Sequence, residues 1–157
     1  MLEKYLCKIK RFYFIISGVI LLLSINLITS SLPYSESINN SEELKNLNPF
    51  LAFLLLVLIG PLLETLIFQH LPIIILPKII KNIQEKYLIF ISAILFGLSH
   101  SYNITYIIFT FLGGIILAYY YFLSIKRKEQ AFLNIFLIHL ILNFIPYSRD
   151  FILVNYF

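Results

Sequence analysis

Apolar residues gather into long blocks along this chain, and the polar residues between them fall into a few short segments. Phe12 to Ile28 is an apolar run just long enough to cross a bilayer as a helix. Pro49 to Leu76 is a second run, longer than one perpendicular crossing needs and punctuated by Pro61, Pro72 and Pro77. Tyr87 to about Ser101 and Ile104 to Ser124 supply a third and a fourth, separated only by Ser101-Tyr102-Asn103, which requires a tight antiparallel pair. Ala131 to Pro146 makes a short fifth, with Tyr147 at its boundary. Proline removes a backbone donor and crowds the carbonyl four residues back, so the pattern predicts a kink near Pro61 and a break near Pro72. The expected fold is all-α: a polytopic membrane helix bundle of about five transmembrane helices.

Composition agrees with this pattern. The chain is 60% hydrophobic, with a mean hydropathy of +0.90, leaving too little polar surface to coat a soluble globule. An excess of 12 Lys and Arg over 8 Asp and Glu would suggest nucleic acid in a soluble domain. Here the basic residues lie between apolar runs and read as topology signals and lipid-headgroup anchors, so membrane lipids are expected partners and nucleic acid is not. Lys4, Lys8, Lys10 and Arg11, then Lys78, Lys81 and Lys86, then Lys126-Arg127-Lys128 all fall on one side of a five-span chain. That side is the cytoplasm, which places the amino terminus inside and the carboxyl terminus outside. The first apolar run exceeds a signal peptide's usual core and lacks a small-x-small end, so it reads as an uncleaved span. The polar stretch from Ser30 to Asn48 is expected to be extracytoplasmic. Residues 1–48 thus form a first helix and loop, 49–147 a four-helix core and 148–157 a short tail. The single cysteine, Cys7, excludes an internal disulfide and a thiolate metal cluster and reads as an inert thiol, with palmitoylation as the alternative. Nothing in Val154-Asn155-Tyr156-Phe157 makes the chain itself a prenylation target.

Within these runs a few polar side chains stand out, Glu64 above all. A charge near the bilayer centre costs at least about 2.5 kcal/mol, so such residues usually face the bundle interior and have partners. The candidates are Thr65, Gln69, His100, His139 and Asn143. Residues four apart share a helix face, so His139 projects with Asn143, Thr65 with Gln69, and Phe96 sits beneath His100. Counting about 1.5 Å of rise per residue, Glu64, His139 and Asn143 share a mid-membrane level, and His100 comes out nearer the outer side. A carboxylate, two imidazoles and a carboxamide in a partly wetted cavity suit hydrolysis. Glu64 is the expected general base for water, and His139 with Asn143 the donors to a developing oxyanion. Zinc on Glu64, His100 and His139 is an alternative, but no H-E-x-x-H spacing favours a metal, so no cofactor is expected. His70 lies on the face away from Glu64 and reads as interfacial.

Pro61-x-x-Glu64-Thr65-x-x-Phe68-Gln69, then Phe96-x-x-x-His100, then His139-x-x-x-Asn143 resembles the three-motif pattern of the CPBP family, the CAAX prenyl protease type II and bacteriocin-processing (Abi) intramembrane proteases. The likeness covers about residues 50 to 145 and includes Gly113-Gly114 between the second and third motifs. It implies a membrane endopeptidase, placed in a bacterial inner membrane, acting on prenylated or leader-bearing peptides. In it Glu64 and His100 activate water and His139 with Asn143 forms the oxyanion site, while Thr65, Phe68, Gln69 and Phe96 support them. Two departures stand out: Thr65 replaces the second Glu of the family's Glu-Glu pair, and Gln69 replaces the Arg four residues later. A buried ion pair has become a neutral pair, expected to hydrogen bond internally. His70 stands where the family commonly has Gly. Two other classes remain: a non-catalytic immunity or scaffold protein whose polar residues are structural, and a small proton-coupled transporter using Glu64 and the two His as a relay.

Overall fold

The computed structural model describes residues 2–30, 48–101 and 103–156, with side chains described for 2–27, 48–101 and 103–149. The expected extracytoplasmic loop, Tyr102 in the third link and the side chains of the final residues lie outside this set. Every described element is a helix. In chain order they are α1 (Leu2–Leu6), α2 (Arg11–Ser30), α3 (Pro49–Ile79), α4 (Glu85–Ser99), α5 (Ile104–Lys126) and α6 (Ala131–Tyr156). Three stretches are long and apolar enough to cross a membrane: Pro49–Ile79, Ile104–Lys126 and Ala131–Arg149. Arg11–Leu27 is a shorter apolar helix, and α4, at 15 residues, reaches about 22 Å.

The expected break at Pro72 does not occur. α3 runs on to Ile79, with Pro72 and Pro77 inside it. Two six-residue π-helical stretches, Leu54–Ile59 and Thr65–His70, end just before Gly60-Pro61 and Leu71-Pro72. At these points the Gly60 amide bonds back to the Leu55 carbonyl and the Leu71 amide to that of Leu66, five residues away rather than four. The wider turn makes room for each proline ring, so the chain stays helical where a regular α-helix would clash. Carbonyls released in this way still need donors inside a membrane, and other helices supply them. Leu56 O, five residues before Pro61, accepts from Asn143 Nδ2 at 3.0 Å, and Phe68 O, four before Pro72, accepts from Ser92 Oγ at 2.5 Å.

α3 begins at an Asn48 cap, whose side chain accepts from the Phe50 amide at 2.9 Å, with Pro49 in the first turn, where its missing donor costs nothing. Asn103 caps α5 in the same way through the Tyr106 amide. α6 also outruns its expected end, because Pro146 lies within a helix that continues to Tyr156. Tyr147 ties α6 to the start of α3 through a 2.9 Å bond to Pro49 O.

α4 and α5 form the expected tight antiparallel pair. Only one of the two adjacent glycines makes the close approach. A Cβ on Gly114 would sit 2.9 Å from the Ala93 Cα, whereas one on Gly113 would meet only a Leu22 methyl at 3.6 Å. α2 packs against α5 and α6, with Phe14, Tyr120, Tyr121, Ile135 and Ile138 buried between them. α3 lies against α4, α5 and α6, which puts its middle inside the bundle beside the carboxyl end of α4.

Candidate active site

Glu64 lies at the end of the α-turn between the two π-helical stretches of α3, half-buried, and two imidazoles reach it. His139 Nε2 is 3.1 Å from Glu64 Oε2, and His100 Nε2 is 3.9 Å from Glu64 Oε1. The third expectation of level is thereby resolved: α4 stops at Ser99, and His100, in the capping position with φ −107° and ψ 46°, turns back towards the bundle. Thus the three polar positions on α3, α4 and α6 meet at one carboxylate. All three, with Asn143, line a single cleft of about 620 Å³.

Hydrogen-bond partners assign the ring protons. His100 Nδ1 lies 2.8 Å from Phe96 O, and a carbonyl can only accept, so Nδ1 carries a hydrogen. In the neutral ring Nε2 is then a lone pair, facing a carboxylate oxygen 3.9 Å away. Two acceptors at that separation are suited to one water donating a proton to each. On the other side a carboxylate also only accepts, so His139 Nε2–H donates to Glu64 Oε2. His139 Nδ1 is buried and has no hydrogen-bond partner among the described residues.

Phe96 holds both rings, with centroids 4.6 Å from His100 and 5.6 Å, edge to face, from His139. Phe68 meets Phe96 edge to face at 5.8 Å, and Tyr106 stands 5.8 Å from His100. The sequence motif contained Phe68 and Phe96 but carried no signal for Tyr106. The backbone acceptor of Asn143 was equally hidden, because a main-chain partner leaves no trace in residue spacing. Asn143 spends one amide hydrogen on Leu56 O and keeps the second. Asn26, Thr105, Thr110 and Arg149 also line the cleft and were not singled out.

Thr65 and Gln69 do not form the internal hydrogen bond expected of them. Both are fully buried; neither Thr65 Oγ1 nor either amide atom of Gln69 has a partner among the described residues, and neither residue lines the cleft. They face the seam between helices, one step around α3 from Glu64. His70 is not interfacial either. Its Nδ1 lies 2.5 Å from Tyr121 Oη, and its ring stands edge-on to Phe132. Among the described residues no three His, Cys, Asp or Glu side chains are placed so as to hold a metal ion. Glu64, His100 and His139 as positioned therefore do not fit the zinc alternative.

No curated protein and no solved structure matches the chain. Residues 46–145 match the family described as type II CAAX prenyl endopeptidase Rce1-like, a stretch that holds α3, α4, α5 and α6 as far as Asn143. With nearly two thirds of its length and all four cleft-lining polar motif residues inside that match, the chain belongs to the Rce1-like type II CAAX prenyl endopeptidases, a family of membrane proteases.

Proposed function

We propose that this chain is an active intramembrane endopeptidase cutting prenylated or leader-bearing peptides with a water activated by Glu64. The observation that carries the reading is the pair of facing acceptors, Glu64 Oε1 and His100 Nε2, 3.9 Å apart. A water donating to both is aligned for deprotonation. As its oxygen attacks the scissile carbonyl carbon, its proton passes to Glu64 and the carbonyl π pair moves onto oxygen. The free amide hydrogen of Asn143 and the imidazole of His139 face the developing oxyanion. Collapse then breaks the C–N bond, and the amine leaves with the proton held by Glu64. His139 has a second task, since its bond to Glu64 Oε2 keeps the carboxylate ionised and in place until the proton arrives.

The departures at positions 65 and 69 favour retained activity. Both lie off the cleft, and exchanging a buried charged pair for a neutral one leaves the reacting groups untouched. We further propose the five-span arrangement with the amino terminus in the cytoplasm, which reporter fusions at the three basic segments would test.

The decisive measurement uses purified protein in lipid nanodiscs and a fluorescent prenylated or leader-bearing peptide. Glu64→Gln keeps the side-chain shape but cannot take a proton, and is expected to slow cleavage by about 10²–10⁴-fold. Cleavage at the wild-type rate by a folded Glu64→Gln protein sinks the proposal. Proton flux into liposomes that this variant eliminates, without any peptidase activity, would establish the relay instead.

A further inference from the structure

The cleft extends well past the groups that do the chemistry. Beyond Glu64, His100, His139 and Asn143 its walls are largely apolar, with Leu22, Phe109, Leu117 and Leu142 among them, until the carboxyl-terminal end of α6. There Arg149 enters the lining, the only Lys or Arg that does so. We propose that Arg149 selects the substrate by pairing with a carboxylate carried on the peptide, three to four residues from the bond that is cut. The inference rests on the peptidase reading above and adds the chemistry that the peptide must present.

Position along α6 sets the spacing. Arg149 follows Asn143 by six residues and His139 by ten, about 9 and 15 Å of helix rise. An extended peptide covers about 3.3 Å per residue, so an anion held at Arg149 lies three to four residues from a carbonyl held at the oxyanion donors. Charge sets the direction. Glu64 repels a substrate anion from the reacting end, whereas a guanidinium offers a planar pair of donors matched to a carboxylate. The apolar walls between these ends raise the value of that pairing by lowering the local dielectric. Arg149 also lies outside residues 46–145, as do Leu22 and Asn26 on the facing wall, so the family match does not assign this end of the cleft.

A carboxylate can come from the peptide's own terminus or from an Asp or Glu side chain, and three peptides with one scissile bond distinguish them. The first ends in a free carboxylate three residues beyond the bond; the second ends there in an amide; the third is the amide with Asp at that position. In nanodiscs the wild type is expected to cleave the first with a kcat/KM about ten- to a hundredfold above the second, carried mainly by KM. Recovery in the third would assign the preference to a side-chain carboxylate. Arg149→Gln is expected to remove the discrimination, and Arg149→Lys to restore part of it. Equal cleavage of acid and amide by the wild type, or discrimination that survives Arg149→Gln, overturns the assignment while leaving the peptidase reading intact. Fluorescence anisotropy of labelled peptides on Glu64→Gln protein reads the same preference without turnover. Tighter binding of the acid, lost in the Glu64→Gln/Arg149→Gln double variant, sustains Arg149 even if no peptide is cut; equal binding overturns it.

Discussion

Gln69 brings a carboxamide into a fully buried position where neither of its polar atoms has a partner among the described residues. An unmade buried hydrogen bond costs about 1–3 kcal/mol, so Gln69→Met, close in shape and without the amide, is expected to raise the unfolding midpoint. Peptide cleavage should be unaffected, because the residue is off the cleft; a parallel melt and peptidase assay would check both. Asn143 is the opposite case, having one hydrogen in the fold and one in the cleft. Asn143→Ala should slow cleavage by about 10²–10³-fold, the usual loss for one oxyanion donor. It should also lower stability by about 1–3 kcal/mol, since Leu56 O then has no donor in an apolar surround. Loss of activity with no change in melting would separate the two tasks and refute the structural one.

At the scale of helices, the adjacent glycines of α5 have different work. Gly114→Ala places a methyl 2.9 Å from the α4 backbone and is expected to cost about 1–3 kcal/mol, whereas Gly113→Ala meets only a movable Leu22 methyl and should be tolerated. Chemical melts of the two variants are a direct comparison. The sequence made the pair legible as a close contact but not which member makes it, because that depends on the rotation of α5 against α4. The three polar faces were legible for a simpler reason: a charge or imidazole in an apolar run has few places to go, and four-residue spacing shows which neighbours share its face. The prolines misled the reading of α3 and α6. Their ordinary effect is to break a helix, and the π-helical turns that accommodate them depend on donors from α6 and α4, Asn143 and Ser92, remote in sequence.

Across the whole molecule, the amino-terminal segment is joined to the turn between α5 and α6. Arg127 donates to Leu6 O and, at 2.8 Å, to Ile9 O, lies over the Phe14 ring at 4.5 Å, and pairs with Glu129 at 2.7 Å. Asn134 bonds Glu129 at 2.9 Å and accepts from Arg11 at 2.6 Å, closing the circuit back to α2. The Arg127 hydrogen bond holds the Glu129 carboxyl below its ordinary value of 4.5 against the opposing effect of burial, and the Asn134 bond and the charges of Arg127 and Arg11 add to it. A depressed folded value means that this contribution is fully present above the ordinary carboxylate range and is lost as pH falls through the folded value. Melting measured from pH 7 to pH 3 should therefore fall at the acid end, and Glu129→Gln should flatten that part of the curve. None of this circuit was legible beforehand, since the same basic residues read equally well as topology signals. The cleft itself, walled partly by α2 and by the end of α6, has a consequence for descent. Reaction and selectivity are written on different stretches of the chain, so mutation and selection can alter which peptides are taken while the Glu64 charge cluster stays under separate constraint. Relatives that share the three motifs would then be poor guides to one another's substrates.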